Sequence, residues 1–310
     1  MRRSAILTLL APVLMAQAPA PAPTPAEPRA EIKRLMAEDP LAALEKAKTL
    51  IPATKPPFDK TSTQTAMKSL DAWGGVLEIY SLAFDAAGEA GRYEEAKEMA
   101  EKARDMAKEM QAEAITPFMA VKKVWSKASE DATKALARIE ELKGKDQKAK
   151  EVLATDPKGK DPKVKAKAAE LFPLAEEQEL ADLLANEGTF KTNITNAKVV
   201  HGQVDKNLRI LNDQVKGYDK PLEQIGNRIK DEQDELMKFK GNKVNFAKAV
   251  YNTVGTKPAD MKNALIALRR AAYLDPTNKL IPHRIDVLMG KAVEAPAKPA
   301  KKAGTRKKGA

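Results

Sequence analysis

Apolar residues recur along most of this chain at steps of three and four, the spacing that lines one face of an α-helix. From about residue 30, Ile32, Leu35, Met36, Leu41, Leu44, Ala47 and Leu50 form one such side. Asp39-Pro40 is placed to divide it, since Asp caps a helix and Pro suits a first turn. A second helix is predicted from Thr63 to Ala87, carrying Met67, Leu70, Trp73, Leu77, Tyr80 and Phe84. The Gly74-Gly75 pair inside it costs about 1 kcal/mol per glycine relative to alanine, which predicts a kink or a close helix crossing. Gly88 and Gly91 then bracket a turn, and "GRYEEAKEMAEKARDM" opens the next helix.

Beyond Pro117 the steps become heptad-like, through Phe118, Val121, Trp125, Ala128, Ala132, Ala135, Ile139 and Leu142. A Lys-rich stretch from Lys143, with two Asp-Pro pairs, reads as a solvated connection holding a short helix near Val152. Another helix is predicted over about Val164 to Ala185. The longest seam follows: Phe190, Ile194, Ala197, His201, Val204, Leu208, Leu211, Val215, Tyr218, Leu222, Ile225, Ile229, Glu232, Leu236 and Phe239. Only His201 and Glu232 are polar, and about seven heptads of this kind are a coiled-coil signature. "GYDKP" interrupts the run, as a kink or as a turn into a new helix. The seam needs a partner, either the Phe118–Leu142 helix or a second copy of the chain. Shorter helices return at Val244 to Val254, Asp260 to Tyr273 and Lys279 to Met289.

Composition agrees with helices. Of 310 residues, 5% are aromatic and 31% are charged, with no cysteine. Runs with period-two alternation are hard to find, so the fold class is all-α. Without cysteine there are neither disulfides nor thiol chemistry, and helix packing must supply stability. The formal net charge of +11 is concentrated at the ends. Arg2 and Arg3 precede an apolar stretch from Ser4 to Met15, too short to span a bilayer comfortably and followed by small residues. This predicts an export signal over 1–16, cleaved after Ala16, the alternative being a retained anchor. The mature protein would then lie in the periplasm of a Gram-negative-type cell or be secreted. A Pro/Ala linker covers 17–28. At the other end, 293–310 is too basic and polar to fold alone, with Lys298, Lys301, Lys302, Arg306, Lys307 and Lys308. The body between is nearly balanced.

Two segments resemble tetratricopeptide repeats. In the first, Gly91 stands at the turn glycine, Tyr93 at the following aromatic, and Ala96 and Ala103 at the small residues of the helix crossing. Tyr80, Ala83 and Ala87 supply first-helix positions. Ala100 replaces the usual aromatic, Lys108 the usual proline and Phe84 a usual small residue. In the second, "NALIALRRAAYLDPTN" places Ala264, Leu268, Ala271 and Pro276 at family spacing, preceded by Val244, Ala247, Tyr251 and Gly255 with a longer turn. A fragment, Leu44, Ala47 and Pro52, matches only the end of a repeat helix. The resemblance covers about a third of the chain in separate pieces. It implies helical hairpins at both ends (29–116 and 240–292) of a long coiled-coil or helical-bundle middle (117–239). It also implies protein binding, with Tyr80, Tyr93, Tyr251 and Leu268 as groove residues.

Catalytic patterns are missing. His201 fits a polar seam residue, and His283, beside Pro282, a loop or helix start; neither has a second ligand at metal-binding spacing. Glu94, Glu95, Glu98 and Glu101, and Asp231, Glu232, Asp234 and Glu235, alternate with Lys and Arg and read as solvated ion-pair faces. "KGNK" and "VGTK" lack the rest of a phosphate loop. No enzyme activity, cofactor or metal is expected. The expected function is an exported helical scaffold for protein–protein interaction in the cell envelope. The alternative is a coiled-coil tether or assembly subunit, self-associating through the seam, whose basic tail binds envelope polyanions. Those would be anionic lipid head groups, lipopolysaccharide phosphates or acidic wall polymer. Nucleic acid is not the expected partner.

Overall fold

A computed structural model describes residues 26–292; the predicted export signal, most of the Pro/Ala linker and all six tail cations lie outside the described residues. The described chain is all-helical. In order the helices are α1 (Ala26–Glu38), α2 (Pro40–Leu50), α3 (Thr63–Glu89), α4 (Tyr93–Leu153), α5 (Pro162–Leu171), α6 (Leu174–Ala185), α7 (Glu187–Lys216), α8 (Asp219–Lys238), α9 (Lys243–Thr253), α10 (Met261–Leu274) and α11 (Leu280–Leu288).

The punctuation follows local chemistry. Asp39 separates α1 from α2 by accepting the amides of Leu41 and Ala42, both at 3.1 Å, with Pro40 as the first helical residue. Asp161, Asn242 and Asp260 cap α5, α9 and α10 in the same way.

Two predicted boundaries are corrected. First, α4 is a single 61-residue helix that runs through Pro117 and takes in the start of the Lys-rich stretch as far as Leu153, leaving 154–161 as the connection. A proline removes one backbone bond, and Ala114 and Phe118, both buried, hold the helix on either side of it. Further along, Lys143–Glu140, Lys145–Glu141 and Lys150–Asp146 pairs lie along the helix, and Ala149 is buried. Second, Phe172-Pro173 splits the predicted 164–185 helix into α5 and α6. The Phe190–Phe239 seam is two helices, parted at Gly217-Tyr218, so the interruption at "GYDKP" is the turn into a new helix.

Two compact units emerge, and α3 and α4 each contribute to both, with the divisions at Gly75 and Arg104. The first unit holds residues 54–75 and 105–217. Its centre is an antiparallel pairing of α4 with α7. Lys122 Nζ meets Asp205 at 2.7 Å, and Ser126 Oγ lies 3.0 Å from His201 Nε2. Further along α4, Ile139 and Leu142 pack with Leu180, Leu183, Phe172 and Phe190. Phe118, Trp125, Ala132 and Ile139 are buried at intervals of seven, opposite Ala197, Val204 and Leu211 of α7 at the same interval. Arg138 bridges to α6 through a two-pronged bond with Glu179 at 3.0 and 2.9 Å. Trp73 of α3 donates its indole N–H to the Pro56 carbonyl at 2.8 Å and meets Phe58 edge-on. The intramolecular option for the seam therefore holds along α7.

The second unit combines α1, α2, the last part of α3, the first part of α4, and α8 to α11. One core joins Ile32, Ala43, Leu44 and Ala47 to Leu82, Ala83, Ala86 and Ala87 of α3, and to Ala96 and Met99 of α4. Ile225 of α8 completes it, with Ile229 against its edge, so the second half of the seam is also filled within the chain. A smaller core forms where Ala247 of α9, Leu268 and Ala271 of α10, and Ile281 of α11 meet. The many alanines are the reason these helices approach closely.

Candidate functional site

The predicted interaction residues are not gathered together. Leu268 is fully enclosed in the α9–α10–α11 core, so it supports a surface and cannot belong to one. Tyr251 is half-buried against that core, with the Arg284 guanidinium 5.1 Å above its ring. Tyr80 is half-buried against the other core. Tyr93 is half-buried against the same core as Tyr80 and also lines a cleft of about 360 Å³ with Arg228, Glu232 and Phe246. Burial raises its phenol pKa, against the nearby Arg228 and Arg270 charges.

The main polar feature of the second unit is Arg270 on α10, which lies beneath this cleft. Its side chain is 5% exposed and gathers three elements. The guanidinium holds Glu94 of α4 at 2.8 and 2.6 Å and Glu232 of α8 at 2.6 Å through both oxygens. It also donates to the Gly91 carbonyl at 3.1 Å. The rings of Tyr93 and Tyr273 lie 4.9 and 5.0 Å from it. Burial would lower the Arg270 pKa, but the two carboxylates prevail and raise it. The bond from Arg270 lowers the Glu94 pKa. Glu232 is thus corrected from a solvated-face residue to the partner of a buried cation, while Glu94 pairs with the same guanidinium and keeps a side chain 55% exposed. The sequence signal was the Arg269-Arg270 pair within an apolar helix face, where at least one arginine must turn inward.

A larger cleft, of about 590 Å³, opens beside α10 in the same unit. The α1–α2 corner supplies Leu41, the α3–α4 turn Arg92, and α10 and α11 supply Arg269, Tyr273, Ile285 and Met289. Leu41 and Tyr273 are each about 40% exposed there, an apolar surface at the mouth. Arg92 stacks on Tyr273 at 4.0 Å. Arg269 donates to the Glu89 carbonyl at 3.2 Å and to the Met289 sulfur at 3.7 Å, and burial lowers its pKa. Asp39, also lining the cleft, already accepts two amides of its own helix.

His201 sits in the α4–α7 seam, its Nε2 3.2 Å from the Lys122 carbonyl. His283 is exposed on α11. Among the described residues no group of three or more His, Asp or Glu is placed to hold a metal ion, and no helix is long and apolar enough to cross a membrane.

Compared with protein-family models, with curated proteins and with solved structures, the chain has no match.

Proposed function

We propose that this chain is an exported, non-enzymatic helical scaffold that binds a protein partner in the cell envelope. The observation that supports this is the larger cleft of the second unit. Aliphatic and aromatic side chains line it, and Leu41 and Tyr273 are left open to solvent at its mouth. Arg92 and Arg269 add cationic donors beside that apolar surface, the mix of aromatic and arginine residues typical of protein-binding surfaces. A photo-crosslinking residue at position 41 or 273, in intact cells, is expected to trap one discrete protein. The absence of any adduct above background from both positions would overturn the reading.

A degenerate tetratricopeptide-like ancestry is part of the same proposal. Its support is the pair of hairpins in which small residues mark the helix crossing: Ala83, Ala87 and Ala96 in one, Ala247, Ala264 and Ala271 in the other. All are buried, and Gly91 adopts the left-handed turn conformation at φ 69°. The longer turn between α9 and α10 departs from the family pattern.

The tether reading asked for a second copy to cover the long seam. Since α4 covers its first half and Ile225 enters the α3–α4 core in its second, the seam gives no reason for self-association. The cleft favours the scaffold.

A further inference from the structure

We propose that the end of the first unit where α4 finishes is a docking surface for an anionic lipid bilayer. The proposal does not depend on the cleft of the second unit or on the C-terminal tail.

Five lysines fall within ten residues here: Lys158, Lys160, Lys163, Lys165 and Lys167. All are exposed, and among the described residues none has a carboxylate within ion-pair distance. Elsewhere in the same unit lysines are commonly paired, as Lys122 is with Asp205 and Lys145 with Glu176. Two of the neighbouring acids, Asp156 and Asp161, are turned toward the backbone, while Glu170 is exposed at the other end of α5. Asp156 Oδ2 accepts the Asp161 amide at 2.6 Å, and Asp161 Oδ1 accepts the Lys163 amide at 2.8 Å. These bonds hold a tight turn around Gly159, whose φ is 61°. Lys165 arches over that turn: its Cε is 3.9 Å from where a Cβ on Gly159 would lie. The ammonium groups of Lys158, Lys160 and Lys165 are therefore carried by one compact feature.

Apolar groups are exposed on the same segment, where Leu171 follows Lys167 by four residues on one face of α5. Leu174 is 77% exposed, and Leu171 and Leu153 are 37% and 44% exposed. The cause is the Phe172-Pro173 corner. Phe172 packs inward with Ile139 and Leu142, and the leucines on either side of the corner are left facing water. Lysines beside protruding aliphatic side chains match a membrane interface, where ammonium groups meet lipid phosphates and short apolar groups enter the acyl boundary. A soluble polyanion would use the lysines and leave Leu174 without a role, which is why a bilayer is the occupant favoured here.

The test is co-sedimentation with vesicles, using the protein from Gln17 onward, with and without residues 295–310. Vesicles of phosphatidylglycerol and phosphatidylcholine are compared with phosphatidylcholine alone. Binding to the anionic vesicles is expected to survive removal of the tail and to weaken as salt rises. Reversing Lys158, Lys160 and Lys165 to Glu should reduce it at least ~10-fold. Leu174→Ser should reduce it several-fold. Circular dichroism on each variant establishes that the helices are retained; Leu174 and the lysines are exposed, so their substitution leaves the core intact. The proposal is overturned if the tail-less protein does not bind, if it binds neutral vesicles equally, or if the lysine reversals change nothing. It is also overturned, in favour of an acidic polymer, if polyphosphate competes fully and Leu174→Ser binds like the parent.

Discussion

The Gly91 carbonyl accepts a hydrogen bond from Arg270 Nη1 at 3.1 Å, across 179 residues of sequence. The same glycine makes the approach possible. At φ 69° it occupies the left-handed region, and a Cβ there would stand 2.6 Å from the Arg270 amide nitrogen. A turn residue of the N-terminal hairpin and a buried cation of α10 are thus shaped for each other.

Gly91→Ala is expected to destabilise the second unit by about 2 kcal/mol or more, from left-handed strain and the collision with the α10 backbone. Gly88→Ala is the control. It lies in the last turn of α3 with nothing within 4 Å of its would-be Cβ, so it should be neutral or stabilising by up to about 1 kcal/mol. Urea unfolding of both variants checks the difference. Equal effects at the two positions would contradict the close approach.

Arg270→Met removes the cation from beneath two carboxylates. The Glu232 side chain is only 10% exposed, so its charge is left without compensation, at a cost of about 3–5 kcal/mol. Adding Glu232→Leu should recover most of that loss, because the buried charge goes too. Thermal unfolding of the single and double variants measures the recovery. If the double variant is no better than Arg270→Met, the pairing is not what Arg270 supplies.

Acid should weaken the same network. The Glu94 carboxyl is held below the ordinary glutamate value of 4.5 by its bond to Arg270, so the folded protein takes up that proton less readily than the unfolded chain. The sign follows from this. The contribution is complete above the unfolded-state value and is lost as pH falls through the lower folded-state value. Glu94→Gln should lower stability at neutral pH and flatten its decline below about pH 4.5. A parallel loss in both proteins would remove Glu94 as its source.

The antiparallel α4–α7 pairing can be captured covalently, because the native chain has no cysteine. Ser126 Oγ and His201 Nε2 are 3.0 Å apart. Ser126→Cys with His201→Cys, treated with a short bifunctional thiol crosslinker to span the gap the histidine ring fills, is expected to be joined within one chain, read as a faster-migrating monomer on a denaturing gel. A crosslinked dimer as the main product would instead place a second copy on the seam.

Several features were legible as local patterns. Steps of three and four in Phe118–Leu142 and Phe190–Phe239 announced apolar seams and left open whether the second would meet the first or another copy of the chain; α4 is found against its α7 half. Asp39-Pro40 gave the α1–α2 division, since a cap needs only the next two amides. Helix ends governed by weak signals were less legible. The lysines after Leu142 suggested solvated loop, yet i,i+4 pairs and one buried alanine extend α4 to Leu153. Leu268, which repeat spacing suggested as a groove residue, is instead enclosed by α9 and α11.

Periodicity and capping are properties of a few neighbouring residues, because backbone geometry alone decides which side chains share a face. The all-α class, the alanine-lined hairpins and the existence of the seam were determined at that level. Which surface each face meets is decided by packing between segments far apart in sequence. Only the tertiary structure could show α4 closing the α7 seam. Only it could turn Arg270 inward between Glu94 and Glu232, 176 and 38 residues away, and open a cleft beside the same helix. A buried charge is tolerable once its partners are assembled around it, and that assembly is not written in any single stretch of the chain.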